Sequence, residues 1–327
     1  MLQTMPAAYI EELGAPGVIR YGDLPVPRPG PTDVLVQVDV TVVNRVDTFV
    51  RSGVYRTPLT FPFVVGRDCA GTVAEAGPGA FGFAPGDRVW CNSLGHGGRQ
   101  GPSASYAVVP ADRLYHLPAS VAATDAVAVA HPAVTAYLAL HVHGQVRPGE
   151  TVVVAGAAGN VGSALTVMAA RAGARVIALA RPRDENYCRT LGAAEVLDFT
   201  DDRLRAHCGR GADVWLDTWG SGDLERAVDL LAVRGRVVLL AGAADRPVLP
   251  AGPLYMKDGS VRGFIISRAG TAELADAATA VNNLLAGGRL RPRRVESLPL
   301  SATAEAHRRV ESAPSHGTRI VLHTRNL

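Results

Sequence analysis

Thr151-Val-Val-Val-Ala155-Gly156-Ala157-Ala158-Gly159-Asn160-Val161-Gly162 reads as a short buried strand that turns through three glycines into a helix. The run continues to Ala172 and puts Val161, Ala164, Leu165, Met168, Ala169 and Ala172 on one helical face. Glycines spaced i, i+3, i+6 let the chain bend sharply, let a pyrophosphate approach the backbone and let the helix lie close on the strand. The helix N-terminus adds N–H groups and the positive end of a dipole. A dinucleotide phosphate fits such a turn. Glycines also mark ordinary strand-to-helix turns, so it is the flanking strand and helix, with a second strand at Arg175–Ala180, that make the pattern specific.

Downstream, strand candidates recur at Glu195–Phe199, Asp213–Asp217, Arg236–Ala241 and Val261–Ile265, with helical patterns at Glu185–Leu191, Leu224–Ala232 and Ala272–Leu285 between several of them. Such alternation builds a doubly wound parallel sheet, and the fold class is α/β. Upstream, Val34–Val43, Ala70–Gly77, Asp87–Cys91 and Ser105–Val109 are short strands separated by Gly, Pro and Asp turns, the sign of a mostly-β domain. Val34–Val43 is too apolar for a solvent-facing edge, so this sheet is expected to be closed or covered. Around His131-Pro132 the residues favour a helix that the proline starts or kinks. Expected divisions fall at 1–122, 123–268 and 269–327, the last holding a helix near 302–310 and a strand at Arg319–His323.

The chain has 327 residues, 47% hydrophobic and 19% charged, with a formal charge of +3. That length implies about two domains, and no run approaches the roughly 18 apolar residues of a membrane span. Lys257 is the only lysine, so the positive charge is nearly all arginine. The cluster Arg289–Arg294 reads as a solvated turn, and no nucleic-acid or membrane partner is expected. The N-terminus has no export pattern, and Cys69, Cys91, Cys188 and Cys208 show no paired spacing, which points to a reduced, cytoplasmic protein.

NAD-binding versions of the glycine turn place an acid at the end of the second strand to hold the ribose hydroxyls. Here that strand runs into Arg181-Pro-Arg183, with no acid before Asp184. Two guanidinium forks suit a 2′-phosphate, which selects NADPH. Tyr187 is a further candidate on the adenosine side.

The whole chain resembles the zinc-independent medium-chain dehydrogenase/reductases, nearest to the quinone oxidoreductases that include zeta-crystallin. The resemblance rests on Gly156–Gly162, on Val43-Asn44-Arg-Val-Asp47 with Arg51-Ser-Gly-Val-Tyr55, and on Pro62-Phe-Val-Val-Gly66-Arg67-Asp68-Cys69-Ala-Gly71. It extends through Pro85–Val89, Thr135-Ala-Tyr137, Leu191–Ala193 and Gly317–Leu322. It implies a GroES-like N-terminal domain that the tail rejoins, a Rossmann domain, an active site in the cleft between them, and a homodimer.

By position it also implies cofactor contacts at Asn44, Thr135, Gly242, Phe264, Ile265 and Ile266, with Trp219 beside the adenine or ribose and Arg319 reaching the adenosine phosphate. Zinc-dependent relatives carry Cys where this chain has Asn44 and Gly-His-Glu where it has Gly66-Arg67-Asp68. Arginine does not ligate cations, and Cys91 with His96 supplies two of the four ligands a closed site needs, so no metal is expected.

Without zinc to polarise an alcohol, hydride transfer to a quinone or an α,β-unsaturated carbonyl is the easier chemistry, because charge on the distant oxygen needs only hydrogen-bond donors and a proton. Asn44 and Tyr55 are the catalytic candidates, and Phe49 with Tyr55 lines the substrate pocket. Phe49 stands where many relatives carry a second tyrosine, which keeps a pathway-specific enoyl or enone reductase as the alternative. A non-catalytic NADPH-binding protein is the reading from another class.

Overall fold

The computed structural model describes residues 3–220, 223–243, 245–312 and 317–325. Two units divide the chain, one of Met1–His131 with Gly270–Leu327 and one of Pro132–Ala269.

The first unit opens with β1 (Thr4–Ile10), β2 (Arg20–Pro25), β3 (Asp33–Val42), α1 (Arg45–Ser52), β4 (Phe63–Val64), β5 (Asp68–Ala76), β6 (Arg88–Cys91), β7 (Tyr106–Pro110) and β8 (Tyr115–His116). The unit boundary falls inside α2 (Ala123–Tyr137). The second unit then runs β9 (Thr151–Ala155), α3 (Asn160–Arg171), β10 (Arg175–Leu179), α4 (Glu185–Thr190), β11 (Glu195–Leu197), α5 (Leu204–Cys208), β12 (Ala212–Asp217), α6 (Leu224–Asp229), β13 (Leu231–Leu239), α7 (Ala251–Met256) and β14 (Ser260–Gly263). The chain finishes in the first unit with α8 (Thr271–Ala286), β15 (Arg294–Pro299), α9 (Thr303–Ser312) and β16 (Thr318–His323).

In the first unit a seven-stranded sheet has the order β15-β16-β3-β5-β6-β8, with β7 also on β3, beside a three-stranded sheet β2-β1-β4. The apolar run that became β3 lies in the middle, paired to β16, β5 and β7. Val34, Val36, Val38, Val40 and Val42 are all buried, and so are Leu35 and Thr41 between them. Both faces are covered, which accounts for a strand that does not alternate.

The second unit is a six-stranded parallel sheet, β11-β10-β9-β12-β13-β14. Numbered from β9, that is 3-2-1-4-5-6, the doubly wound order whose direction reverses between β9 and β12. Val153, Ile177, Leu179, Trp215 and Val237 share one core beneath α5 and α6, with Leu204, Ala227 and Val228 against them. Lys257 closes the end of α6: its Nζ donates to the carbonyls of Val228 (3.0 Å), Asp229 (2.6 Å) and Leu231 (2.8 Å). Those carbonyls at and just past the helix end have no partner within the helix, and a cation satisfies three of them. The segment Ala123–His143 is long and apolar enough to cross a membrane, and 72% of its most apolar stretch is buried within the fold.

Candidate active site

All the strands of the second unit are parallel, so their carboxyl ends share one edge. At the end of β9, Gly156 takes a left-handed conformation (φ 82°), and Gly159 caps α3 without bringing a side chain to its first turn. A Cβ on Gly162 would lie 2.1 Å from the Gly156 carbonyl oxygen and 2.8 Å from Ala157 Cα. Only glycine lets α3 sit this close to the turn, and the N-terminus of a twelve-residue helix faces whatever occupies the loop. The Gly156 and Ala157 N–H groups both donate to the Leu179 carbonyl, each at 3.1 Å. Ala157 is buried, while Ala158, Asn160 and Val161 are half-buried.

Arg181 and Arg183 follow β10 and are both exposed, with Arg183 Nε 4.0 Å from Asp184 Oδ2; Tyr187 is half-buried on α4. After β12, Asp217 Oδ1 accepts from the N–H groups of Trp219 (2.9 Å) and Gly220 (3.1 Å). Thr218 Oγ1 donates to the Ala155 carbonyl at 2.7 Å, which ties this turn to the glycine loop. Trp219 is thereby held 53% exposed, its ring 4.3 Å from that of Phe199. Gly242 follows β13. Past β14, Phe264 stacks on His143 at 4.1 Å, Ile265 is exposed and Ile266 buried. Thr135 is half-buried on α2. Apart from Thr135 and Tyr187, the expected cofactor positions of this unit stand at the ends of β9, β10, β12, β13 and β14. A glycine cradle, an aromatic plate and two exposed guanidinium groups suit a phosphorylated dinucleotide.

The first unit holds a separate constellation. Asn44 is the N-cap of α1, and its N–H donates to Asp47 Oδ2 at 2.7 Å. Its amide Nδ2 donates to Asp68 Oδ2 (2.9 Å), while its Oδ1 accepts from Arg319 Nη2 (2.6 Å). Arg67 Nε stands 4.0 Å from Asp47 Oδ1, and His131 Nδ1 stands 3.7 Å from Asp68 Oδ1. Asn44, Asp47, Arg67, Asp68 and Arg319 are all buried, two acids against two guanidinium groups. Burial pushes the Asp47 carboxyl up to about 7 against the pull of Arg67, with Asp68 adding to the rise. Burial likewise lowers Arg67 and Arg319, each supported by the two carboxylates, and lowers His131 against the opposing pull of Asp68. Tyr55, half-buried against Val43, Val50 and Phe63, is close enough for its phenol to bear on the charge of Arg67. Phe49 is half-buried on α1.

Arg319, expected at the adenosine phosphate, has its guanidinium buried and bonded to Asn44; it is carried on β16, which lies antiparallel to β3 just ahead of the Asn44 turn. The cluster of Asp47, Arg67, Asp68 and His131 around Asn44 was missed as a group. Its one sequence signal is the Asn-x-x-Asp spacing of a helix cap. Phe199, the ring behind Trp219, was also missed.

A switch point carrying a glycine turn and a helix N-terminus, on a chain with a second β-rich unit, has the architecture of a nucleotide-dependent oxidoreductase. Residues 30–119 match the alcohol dehydrogenase GroES-like domain and residues 160–283 the zinc-binding dehydrogenase domain. Human quinone oxidoreductase is 30% identical over 313 residues, covering 94% of each chain. A solved NAD-dependent alcohol dehydrogenase is 31% identical with a TM-score of 0.86, and a mycobacterial protein solved with NADPH is 27% identical with a TM-score of 0.80. Both cover 98% of this chain and 99% of their own. The chain belongs to the quinone oxidoreductase family of medium-chain dehydrogenase/reductases.

One matched domain is named for zinc. Among the described residues no group of three or more His, Cys, Asp or Glu is placed to hold an ion. The two acids nearest Asn44 already face guanidinium groups, which repel a cation and do not ligate one.

Proposed function

We propose that this chain is an NADPH-dependent reductase of quinones or α,β-unsaturated carbonyl compounds that works without a metal ion. The observation that carries the reading is the buried set of Asp47, Asp68, Arg67 and Arg319 around Asn44. Its charges are matched internally, so no cation is available to polarise an alcohol oxygen, and a substrate is favoured whose developing charge hydrogen-bond donors alone stabilise. A bound NADPH supplies the hydride. Asn44 orients the reacting carbonyl or the nicotinamide ribose through its amide, and the Tyr55 phenol donates to the oxygen that becomes an enolate or hydroquinone.

Gly156–Gly162 and the start of α3 hold the pyrophosphate. Arg181 and Arg183 hold the 2′-phosphate, which their exposure at the end of β10 supports. The relatives divide between NAD and NADPH, so the cofactor choice rests on these arginines. The four cysteines, all buried and none of them in a disulfide, suit a reducing compartment. A homodimer is favoured by the outer edge of β14, which has no neighbouring strand among the described residues, beside exposed Val248, Leu249, Tyr255 and Met256.

The test is NADPH oxidation against a panel of quinones and enones, with Tyr55→Phe and Arg181→Ala/Arg183→Ala beside the wild type. Turnover with NADPH is expected, about ten-fold or more lower in the double variant, with NADH turnover little changed. Tight NADPH binding without consumption of any acceptor would defeat the reductase reading, and a preference for NADH would defeat the role of the arginines.

A further inference from the structure

We propose that Arg319 is a positioning residue for Asn44: with Asp68 it locks the Asn44 amide in one orientation and leaves a single N–H as that side chain's open donor. The inference rests on the reductase reading only for what the donor is used for. The lock itself follows from three side chains.

An asparagine amide has two faces of nearly equal shape, and turning it over exchanges acceptor for donor. Here Oδ1 takes an N–H from the Arg319 guanidinium at 2.6 Å, and Nδ2 gives one to the Asp68 carboxylate at 2.9 Å. Turned over, the NH₂ group would face a cation and the oxygen a carboxylate, so both contacts would become repulsive together. Charged partners make these the stronger class of hydrogen bond. Asn44 is 3% exposed and Arg319 8%, so water does not substitute for either partner.

The partners are themselves braced. Thr41 Oγ1 donates to the Asp68 backbone carbonyl at 2.7 Å, and Arg319 is carried on β16, which pairs with β3 on the strand that leads into Asn44. The amide thus begins with two donors and one acceptor oxygen, and one N–H is committed. The N–H that remains has a direction set by the lock, and it suits an electron-rich oxygen such as that of a carbonyl being reduced. The guanidinium of Arg319 acts through Asn44 and is not itself assigned to the cofactor or the substrate.

A double-mutant cycle of Asn44→Ala and Arg319→Met tests this, read out by NADPH affinity from nucleotide fluorescence and by kcat and KM for a quinone. Positioning predicts that Arg319→Met costs ten-fold or more in kcat/KM in the wild-type background and less than two-fold when Asn44 is already alanine. Arg319→Lys should recover part of the loss. Independent, multiplying losses, or an NADPH affinity that falls equally in both backgrounds, would mean direct contact with the nucleotide and would overturn the proposal.

Because Arg319→Met leaves buried carboxylates without their cation and so threatens the fold, Asp68→Asn attacks the same orientation from the other side at constant volume. The Asn44 side-chain NH₂ resonances, assigned by their loss in Asn44→Ala, give a readout that needs no turnover. They should shift in Arg319→Lys and in Asp68→Asn; unchanged resonances in both would also overturn the lock. If the wild type reduces nothing, the reductase reading fails while the resonances and the affinity cycle still decide on Arg319.

Discussion

His307 lies wholly buried on α9, packed towards α1 and the Arg51 guanidinium, which is itself paired with Glu311. Neither ring nitrogen has a hydrogen-bond partner among the described residues. Burial, with the neighbouring positive charge of Arg51, pushes this histidine from 6.5 down to about 3. A group whose folded value is depressed binds its proton more readily when unfolded, so a histidine of this kind costs stability as pH falls from about 6.5 towards 3. The loss runs at up to about 1.4 kcal/mol per pH unit. Asp47 acts in the opposite sense, because its raised value favours the folded state as pH falls below about 7. We therefore expect His307→Leu to lose less stability than the wild type between pH 7 and pH 4.5, measured by urea unfolding. Parallel pH curves for the two proteins would count against it. Residue types were readable without coordinates, and their partners were not. Arg319 was recognised as a special position from its motif, but an arginine's long side chain can face either side of its backbone, and only the pairing of β16 with β3 decided which.

The glycine turn shows what an element can disclose. Strand, turn and helix were each legible because the buried run, the three-residue glycine spacing and the helical stripe are local patterns, and β9 and α3 appear where they predict. Gly162→Ala should therefore act on the element as a unit. With its Cβ 2.1 Å from the Gly156 oxygen, α3 must lift off the turn, at a cost of about 1–3 kcal/mol. A lower urea midpoint and an NADPH affinity at least ten-fold weaker are expected, and a variant that binds as well as the wild type would remove the cradle from this loop.

Other elements were less legible for physical reasons. Helix α1 has eight residues and a Val-Asp-Thr-Phe-Val run of low helix preference, and it is set by the Asn44–Asp47 cap and by packing. Strand β13 begins at Leu231, five residues ahead of the expected Arg236, so the predicted helix ends sooner, at Asp229. Strand β15 is a sheet edge with four of its six residues exposed and shows no apolar alternation.

At the scale of the whole molecule, the alternation of strands and helices disclosed the parallel sheet, while the order of its strands and the return of the tail to the first unit depend on contacts far apart in sequence. The sheet of the second unit ends on β14, whose outer backbone groups have no neighbouring strand among the described residues. An edge flanked by exposed apolar residues is an association site unless something covers it. If a second copy does so, Tyr255→Ser with Met256→Glu should sediment as a monomer while the wild type sediments as a dimer. Equal sedimentation of the two would place the interface elsewhere. The amine of Lys257, held by three carbonyls at the end of α6, has a further consequence. A protease specific for lysine has one place to cut in this chain, and that place is guarded by a helix end, so the rate of a single cleavage in native buffer becomes a clock for the local opening of the nucleotide-binding unit.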